Sequence, residues 1–169
     1  QLLDQRIDAL KKGMKFTFDL GATALTVRAG RLPDPEANDT DWTRLCEVLH
    51  ELTAYGNHVG TTLCLGVSFE TPERVRQLLS SIDGPLGLNF DPVHVYAGGH
   101  QVAEMFRGFH DRIHHVRARD GVRTIDDEVE ETPIGQGEID WEELIATLHE
   151  ADFRDWITLD RISGESRPR

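Results

Sequence analysis

The side chains able to do chemistry gather in the second half of the chain, and each group closes a short apolar segment. Leu86-Gly87-Leu88-Asn89-Phe90 runs into Asp91, with His94 three residues further on. Ile113-His114-His115-Val116-Arg117-Ala118-Arg119 runs into Asp120, and Trp156-Ile157-Thr158-Leu159 runs into Asp160. Carboxylates and imidazoles take up and release protons or ligate cations. A guanidinium does not deprotonate in proteins and supplies only positive charge and N–H donors. Asp, His and Arg at the ends of apolar segments are therefore the place to look for function.

These side chains act together only if the segments are strands ending at one edge of a sheet. Residues 2 to 19 read as a helix with Leu3, Ile7, Leu10, Met14 and Phe18 on one face, stopped at Gly21. Ala24 to Gly30 reads as a strand. Thr40 or Asp41 caps a second helix, with Trp42, Leu45, Val48, Leu49, Leu52 and Tyr55 inward and Gly56 and Gly60 at its close. Thr61 to Leu65 is a strand ending at Gly66. Thr71 caps a helix with Pro72 at its first position and Val75, Leu78, Leu79 and Ile82 as its stripe. Leu86 to Phe90 is the third strand, and Asp91-Pro92 doubles as a turn former. Gly98 and Gly99 precede a short helix with Val102, Met105, Phe106 and Phe109.

Ile113 to Arg119 is the fourth strand, on which His115, Arg117 and Arg119 share one face. The acidic stretch Asp126 to Glu131 reads as a solvated loop. Gly135-Gln136-Gly137 is a tight loop before a helix N-terminus, a shape that can hold a phosphate. Asp140 caps the last helix, Glu143 completes a capping-box-like pair, and Leu144, Ile145 and Leu148 face inward. Trp156 to Leu159 is the fifth strand. Strands alternating with helices predict an α/β fold with a parallel sheet, and no domain boundary is evident. Strands that end in polar residues are also the pattern of a βα barrel, whose C-terminal strand ends carry the chemistry. Five strands fall short of the barrel's eight, so a small open doubly wound domain competes with part of a longer barrel. A length of 169 residues by itself suits the open domain.

Composition narrows the partners. A formal net charge of −12 disfavours nucleic acid and anionic membrane surfaces, and no run of Lys or Arg offsets it. Cys46 and Cys64 are isolated and read as free, buried thiols, with neither a disulfide framework nor a zinc spacing. No apolar run approaches the ~20 residues that span a bilayer. The expectation is a cytoplasmic protein, although the chain opens on Gln1 rather than Met.

Four elements in order resemble the xylose isomerase-like TIM-barrel family, which includes sugar phosphate isomerases and epimerases. They are Phe90-Asp91-Pro92-Val93-His94, His115-Val116-Arg117-Ala118-Arg119-Asp120, Gly135-Gln136-Gly137-Glu138-Ile139-Asp140-Trp141, and Thr158-Leu159-Asp160. The resemblance spans 1–169 as the C-terminal portion of one such domain. It implies a partial barrel of about five strands, with on the order of 80 to 100 residues of N-terminal strands missing.

In that family four strand ends supply Glu, Asp, His and Glu to a divalent metal that polarises the substrate. The resemblance sets those positions on Gly66, Asp91, Arg117 and Asp160. Asp91, Asp160 and His94 are then the only ligands available to Mn²⁺, Mg²⁺ or Zn²⁺, and the fixed charge of Arg117 opposes any of them. Arg117 is expected to take over the electrostatic role of the metal and to pair with Asp91, Asp160 or an anionic substrate group. An Arg117–Asp91 pair would serve equally as a purely structural ion pair.

The resemblance thus implies a sugar isomerase or epimerase with an altered, metal-free site. His94 and Asp160 would be acid and base and Arg117 the electrophile, with Asp91, His115 and Arg119 binding a sugar-like small molecule. The alternative is an inactive barrel kept as a carbohydrate-binding, metabolite-binding or assembly protein, and either form could self-associate as a homo-oligomer. A nuclease of the endonuclease IV kind needs a His and Glu zinc cluster and a basic surface, and the sequence offers neither. The remaining histidines, His50, His58, His100, His110 and His149, show no metal spacing.

Overall fold

The computed structural model describes residues 2–67 and 70–161. Its contacts divide the chain into two compact units, residues 1–89 and 90–169, with the division falling inside the third strand.

The first unit begins with helix α1, Leu2–Asp19, followed by strand β1, Ala24–Arg28, helix α2, Asp39–Val59, and strand β2, Thr62–Gly66. Helix α3, Pro72–Ser80, leads to strand β3, Leu86–Phe90. Strands β1 and β2 pair in parallel with Thr26 opposite Cys64, and β2 and β3 pair in parallel with Cys64 opposite Gly87. Every side chain of β3 is buried, as expected of a parallel strand covered on both faces. Met14, Leu49, Leu52, Leu63, Leu78 and Leu86 form the centre of this unit's core. Helix α2 ends where Gly60 adopts φ 82°, and Gly56 is required because a Cβ there would lie 2.4 Å from the Thr61 carbonyl oxygen. Phe18 and Leu3, expected on the inner stripe of α1, are 55% and 39% exposed, whereas Thr17 is buried and donates to the Gly13 carbonyl.

The second unit contains helices α4, Pro92–Ala97, and α5, Val102–Phe109, then strand β4, Ile113–Ala118. Strands β5, Asp120–Arg123, and β6, Val129–Thr132, are followed by helix α6, Trp141–Glu150, and strand β7, Trp156–Leu159. Strands β4 and β7 are parallel, with Arg117 opposite Thr158. Phe106 is fully buried and meets Phe90 and Phe153 edge-on at 5.4 and 5.8 Å.

Several details differ from the sequence reading, beginning with the cap of α2, which is Asn38, accepting from the Asp41 amide at 3.2 Å, and not Thr40 or Asp41. Asp91-Pro92 does not merely turn the chain: Pro92 starts a short helix, because its fixed φ and missing N–H suit a first helical position. The acidic stretch is a solvated loop only in part: Asp126, Asp127 and Glu128 are exposed at a turn, but Val129 to Thr132 pairs antiparallel with Asp120 to Arg123, with Gly121 opposite Glu131. Strand β4 ends at Ala118, so Arg119 lies one residue beyond it rather than within it, and its guanidinium still joins that of Arg117 at Asp91. Ile145 is 60% exposed, and Thr147 takes its expected place in the core.

No helix among the described residues is long and apolar enough to cross a membrane.

Candidate functional site

Asp91, His94, His115, Arg117, Arg119 and Asp160 all belong to the second unit. The register of β4 against β7 explains the first pairing. With Ala118 opposite Leu159 and the Asp160 amide donating to the Ala118 carbonyl, Asp160 comes to rest beside Arg117. Arg117 Nε donates to Asp160 Oδ2 at 3.0 Å, and Nη2 donates to the same oxygen. The guanidinium holds the Asp160 carboxyl below its ordinary range, with burial opposing and the charge of Arg119 adding to the effect.

Asp91 occupies the position before α4, yet its side chain makes no cap hydrogen bond. It turns instead toward the arginines. Asp91 Oδ2 accepts from Arg119 Nη1 at 2.8 Å, lies 3.3 Å from His94 Nδ1 and stands 3.7 Å from Arg117 Nη1. Its other oxygen, Oδ1, is buried without a hydrogen-bond partner among the described residues. Arg119 also donates from Nε to Glu131 Oε1 at 2.8 Å. Burial pulls the Arg119 pKa down, but Glu131 and Asp91 together outweigh it and raise it.

His115 Nε2 lies 2.5 Å from Thr158 Oγ1 on the neighbouring strand. Burial first, and then the charge of Arg117, push its pKa below the usual imidazole value, while Asp160 works in the other direction. His114, on the opposite face of β4, pairs with Asp155 at 3.0 Å.

The structure thus brings Asp91, His94, Arg117, Arg119 and Asp160 into one connected group and sets His115 beside it. Exposure grades through the group: the Arg119 and Asp91 side chains are 7% and 5% exposed, Arg117 15%, His94 22% and Asp160 31%. A ligand arriving from solvent meets Asp160, His94 and Arg117 before it meets the buried pair.

Sequence reasoning missed Glu131. Its side chain is 5% exposed and paired with Arg119. The one sequence signal for a strand there was the β-branched pair Val129 and Thr132, which the fold sets opposite Arg123 and Asp120. The loop at Gly135 is not an anion site for a ligand. The carboxylate of Asp120, fully buried, already fills it, accepting from the amides of Gly121, Gly135, Gly137 and Ile139 and from the Trp141 indole N–H. A Cβ on Gly137 would fall 1.9 Å from Asp120 Oδ1. Glu138 accepts from the Tyr96 hydroxyl and, at 2.8 Å, from the Arg123 amide, beside a cavity of about 200 Å³ that includes Gln101 and Glu143.

The resemblance implies a divalent metal, and the donors of this chain do not fit one. No group of three or more His, Cys, Asp or Glu side chains among the described residues is arranged to hold an ion. Asp91 Oδ2 and Asp160 Oδ2 are both engaged by guanidinium groups. In the first unit, Gly66 offers no donor side chain. A Cβ there would meet only ordinary contacts, so neither space nor backbone demands the glycine.

The family model described as "Xylose isomerase-like TIM barrel" matches residues 1–169. An inosose dehydratase from Halalkalibacterium halodurans is 28% identical over 145 residues, which cover 75% of this chain and 48% of that protein. The chain therefore spans about half the length of that relative. Among solved structures, a xylose isomerase domain protein from Planctomyces limnophilus superposes with a TM-score of 0.84 at 22% identity, over 94% of this chain and 58% of that one. A D-allulose 3-epimerase from Methylomonas sp. superposes at 0.73 with 19% identity, over 92% and 55%. Identities at this level speak to the fold alone.

Proposed function

The chain belongs to the xylose isomerase-like TIM barrel family, and from that premise we propose that it is part of a sugar-modifying enzyme. It would act as an isomerase, epimerase or dehydratase on a polyol or keto sugar, at a site that uses arginine where relatives use a metal ion. The observation that carries this reading is Arg117, which is bound to Asp160 and stands 3.7 Å from Asp91 at two positions the family gives to metal ligation. One guanidinium there supplies fixed positive charge to an oxygen that becomes negative as a proton leaves the adjacent carbon.

His94 and Asp160 are the groups placed to move that proton. Asp160, held ionised by Arg117, is the base. His94 returns a proton to the neighbouring carbon or to a departing hydroxyl, which separates epimerisation from dehydration. Asp91 and Arg119 lie beneath them and keep Arg117 and His94 in place. His115, with its lowered pKa, stays uncharged beside the pair and adds no competing positive charge.

The alternative, an inactive barrel that binds a carbohydrate or metabolite or serves in an assembly, draws on the burial of Asp91 and Arg119 and on the pairing of both arginines with the chain's own carboxylates. One experiment separates the two. The protein is incubated in deuterium oxide with inosose or D-allulose in the presence of a chelator, and deuterium entering the carbon next to the carbonyl is followed by NMR. The proposal expects exchange that survives the chelator and is lost in Arg117→Gln. Binding without exchange supports the alternative. Exchange that the chelator abolishes and Mn²⁺ restores would overturn the arginine-for-metal reading.

A further inference from the structure

We infer that Asp120, which touches none of the proton-moving groups, is the positioning residue of the site: by latching the 133–139 loop it delivers Glu131 to Arg119, and Arg119 in turn holds Asp91. The inference deepens the arginine-centred reading above and rests on it.

The hairpin β5–β6 consists of two four-residue strands, and an isolated two-stranded hairpin is marginally stable in water. Something must hold it down if Glu131 is to stay buried. Asp120 is the first residue of β5 and lies next to Arg119 in the chain. Across the hairpin it faces Thr132, and Glu131 faces Gly121. Beyond Thr132 the chain turns back, and Asp120 collects it. Asp120 Oδ2 accepts from Gly135 N at 2.8 Å, Gly137 N at 3.1 Å and Trp141 Nε1 at 3.0 Å, and Oδ1 accepts from Gly121 N at 2.9 Å and Ile139 N at 3.3 Å. The Glu138 amide closes the same loop onto the Gly121 carbonyl at 2.9 Å.

Glu131 is therefore pinned on both sides, by the ladder to β5 and by an attachment at Gly135 four residues later. The glycines make room for this. A Cβ at Gly121 would come within 2.8 Å of the Glu130 carbonyl oxygen, and one at Gly137 would collide with the Asp120 carboxylate itself. A buried carboxylate that accepts five N–H groups and has no cationic partner among the described residues is an unusual investment for a short hairpin. It is intelligible if the position of Glu131 matters. Without Glu131, Arg119 loses its Nε partner while buried, and among the described residues its bond to Asp91 is what remains to fix its plane.

The test needs no substrate, so its failure is distinct from failure of the proposed activity. Solvent exchange of the arginine Nε–H protons is measured by NMR in the unmodified protein, in Asp120→Asn and in Trp141→Phe. Asn keeps one acceptor oxygen but turns an NH₂ toward amide donors, and Phe removes a single donor of the five. The expected result is at least about tenfold faster exchange at Arg119 Nε–H in Asp120→Asn, a smaller increase in Trp141→Phe, and no change at Arg117 Nε–H, whose partner Asp160 follows β7. If Asp120→Asn does not fold, Trp141→Phe decides alone. Two outcomes overturn the inference. In one, the Gly135 and Gly137 amides lose protection while Arg119 is unmoved. In the other, Arg117 and Arg119 accelerate together, which is what general loosening would produce.

Discussion

Arg119 Nη1 donates to Asp91 Oδ2 at 2.8 Å, and both side chains are almost wholly buried. The sequence pointed to Arg117 as a partner of Asp91 or Asp160, and it bonds Asp160 and stands 3.7 Å from Asp91. The direct hydrogen bond to Asp91 belongs to the arginine two residues on, just beyond the end of β4. Removing one member of a buried pair leaves an uncompensated charge. Arg119→Met removes the buried cation that Asp91 and Glu131 share and is expected to lower stability by about 3–5 kcal/mol. Glu131→Gln leaves Arg119 with Asp91 and should cost about 1–3 kcal/mol. Denaturant unfolding of the two variants measures the difference, and equal losses would show that Glu131 and Asp91 are not alternative partners of one guanidinium.

Metal affinity should respond to the same charges. Calorimetric titration of the unmodified protein with Mn²⁺ or Zn²⁺ is expected to show no tight stoichiometric binding. Arg117→His removes one guanidinium and adds a ligand, so affinity should rise, although Arg119 still occupies Asp91 Oδ2. The double change Arg117→His with Arg119→Gln should raise it further. Tight binding by the unmodified protein that Asp91→Asn abolishes would contradict the arginine-for-metal reading.

Stability should fall on acidification in two steps. His115 has a folded pKa below its ordinary 6.5, so its neutral form stabilises the fold above that value, and the contribution is lost as pH falls below it. Asp160 has a folded pKa below its ordinary 3.8, so its contribution is present above 3.8 and disappears as pH drops through the folded value. Thermal melting from pH 8 to pH 3 should show both steps, and His115→Gln should remove the upper one alone. A variant curve identical to the parent would mean that the burial of His115 carries no proton linkage.

The glycines of the latched loop should separate sharply. Gly135 has φ 83° with open space around its Cβ position, so Gly135→Ala bears only the left-handed backbone penalty, about 1–2 kcal/mol. Gly137→Ala drives a methyl into the Asp120 carboxylate and should cost more than about 3 kcal/mol or prevent folding. Similar melting temperatures for the two would show that the loop can step away from Asp120.

Much of this was written in local pattern. Apolar stripes located α1 and α2, stripes together with the caps Thr71 and Asp140 located α3 and α6, and the apolar runs marked β3 and β7 residue for residue, because periodicity and capping are properties of neighbouring residues. The polar residues that close the strands were equally visible, as was Arg117 as the charge at odds with a metal. Pairing was not visible. Glu131 looked like one more solvated acid, since nothing within a few residues of it announces burial; only a hairpin that sets it opposite Gly121 turns it toward Arg119. Gly135-x-Gly137 looked open to an anion, and the fold supplied one from Asp120, well before it in sequence. The sequence by itself determined the alternating strands and helices, apart from α4 and the β5–β6 hairpin, and which chemical groups stand at the strand ends. Tertiary structure alone decided which carboxylate meets which guanidinium. Those choices depend on register and on where strand β4 stops, and both are settled by contacts between segments far apart in the chain.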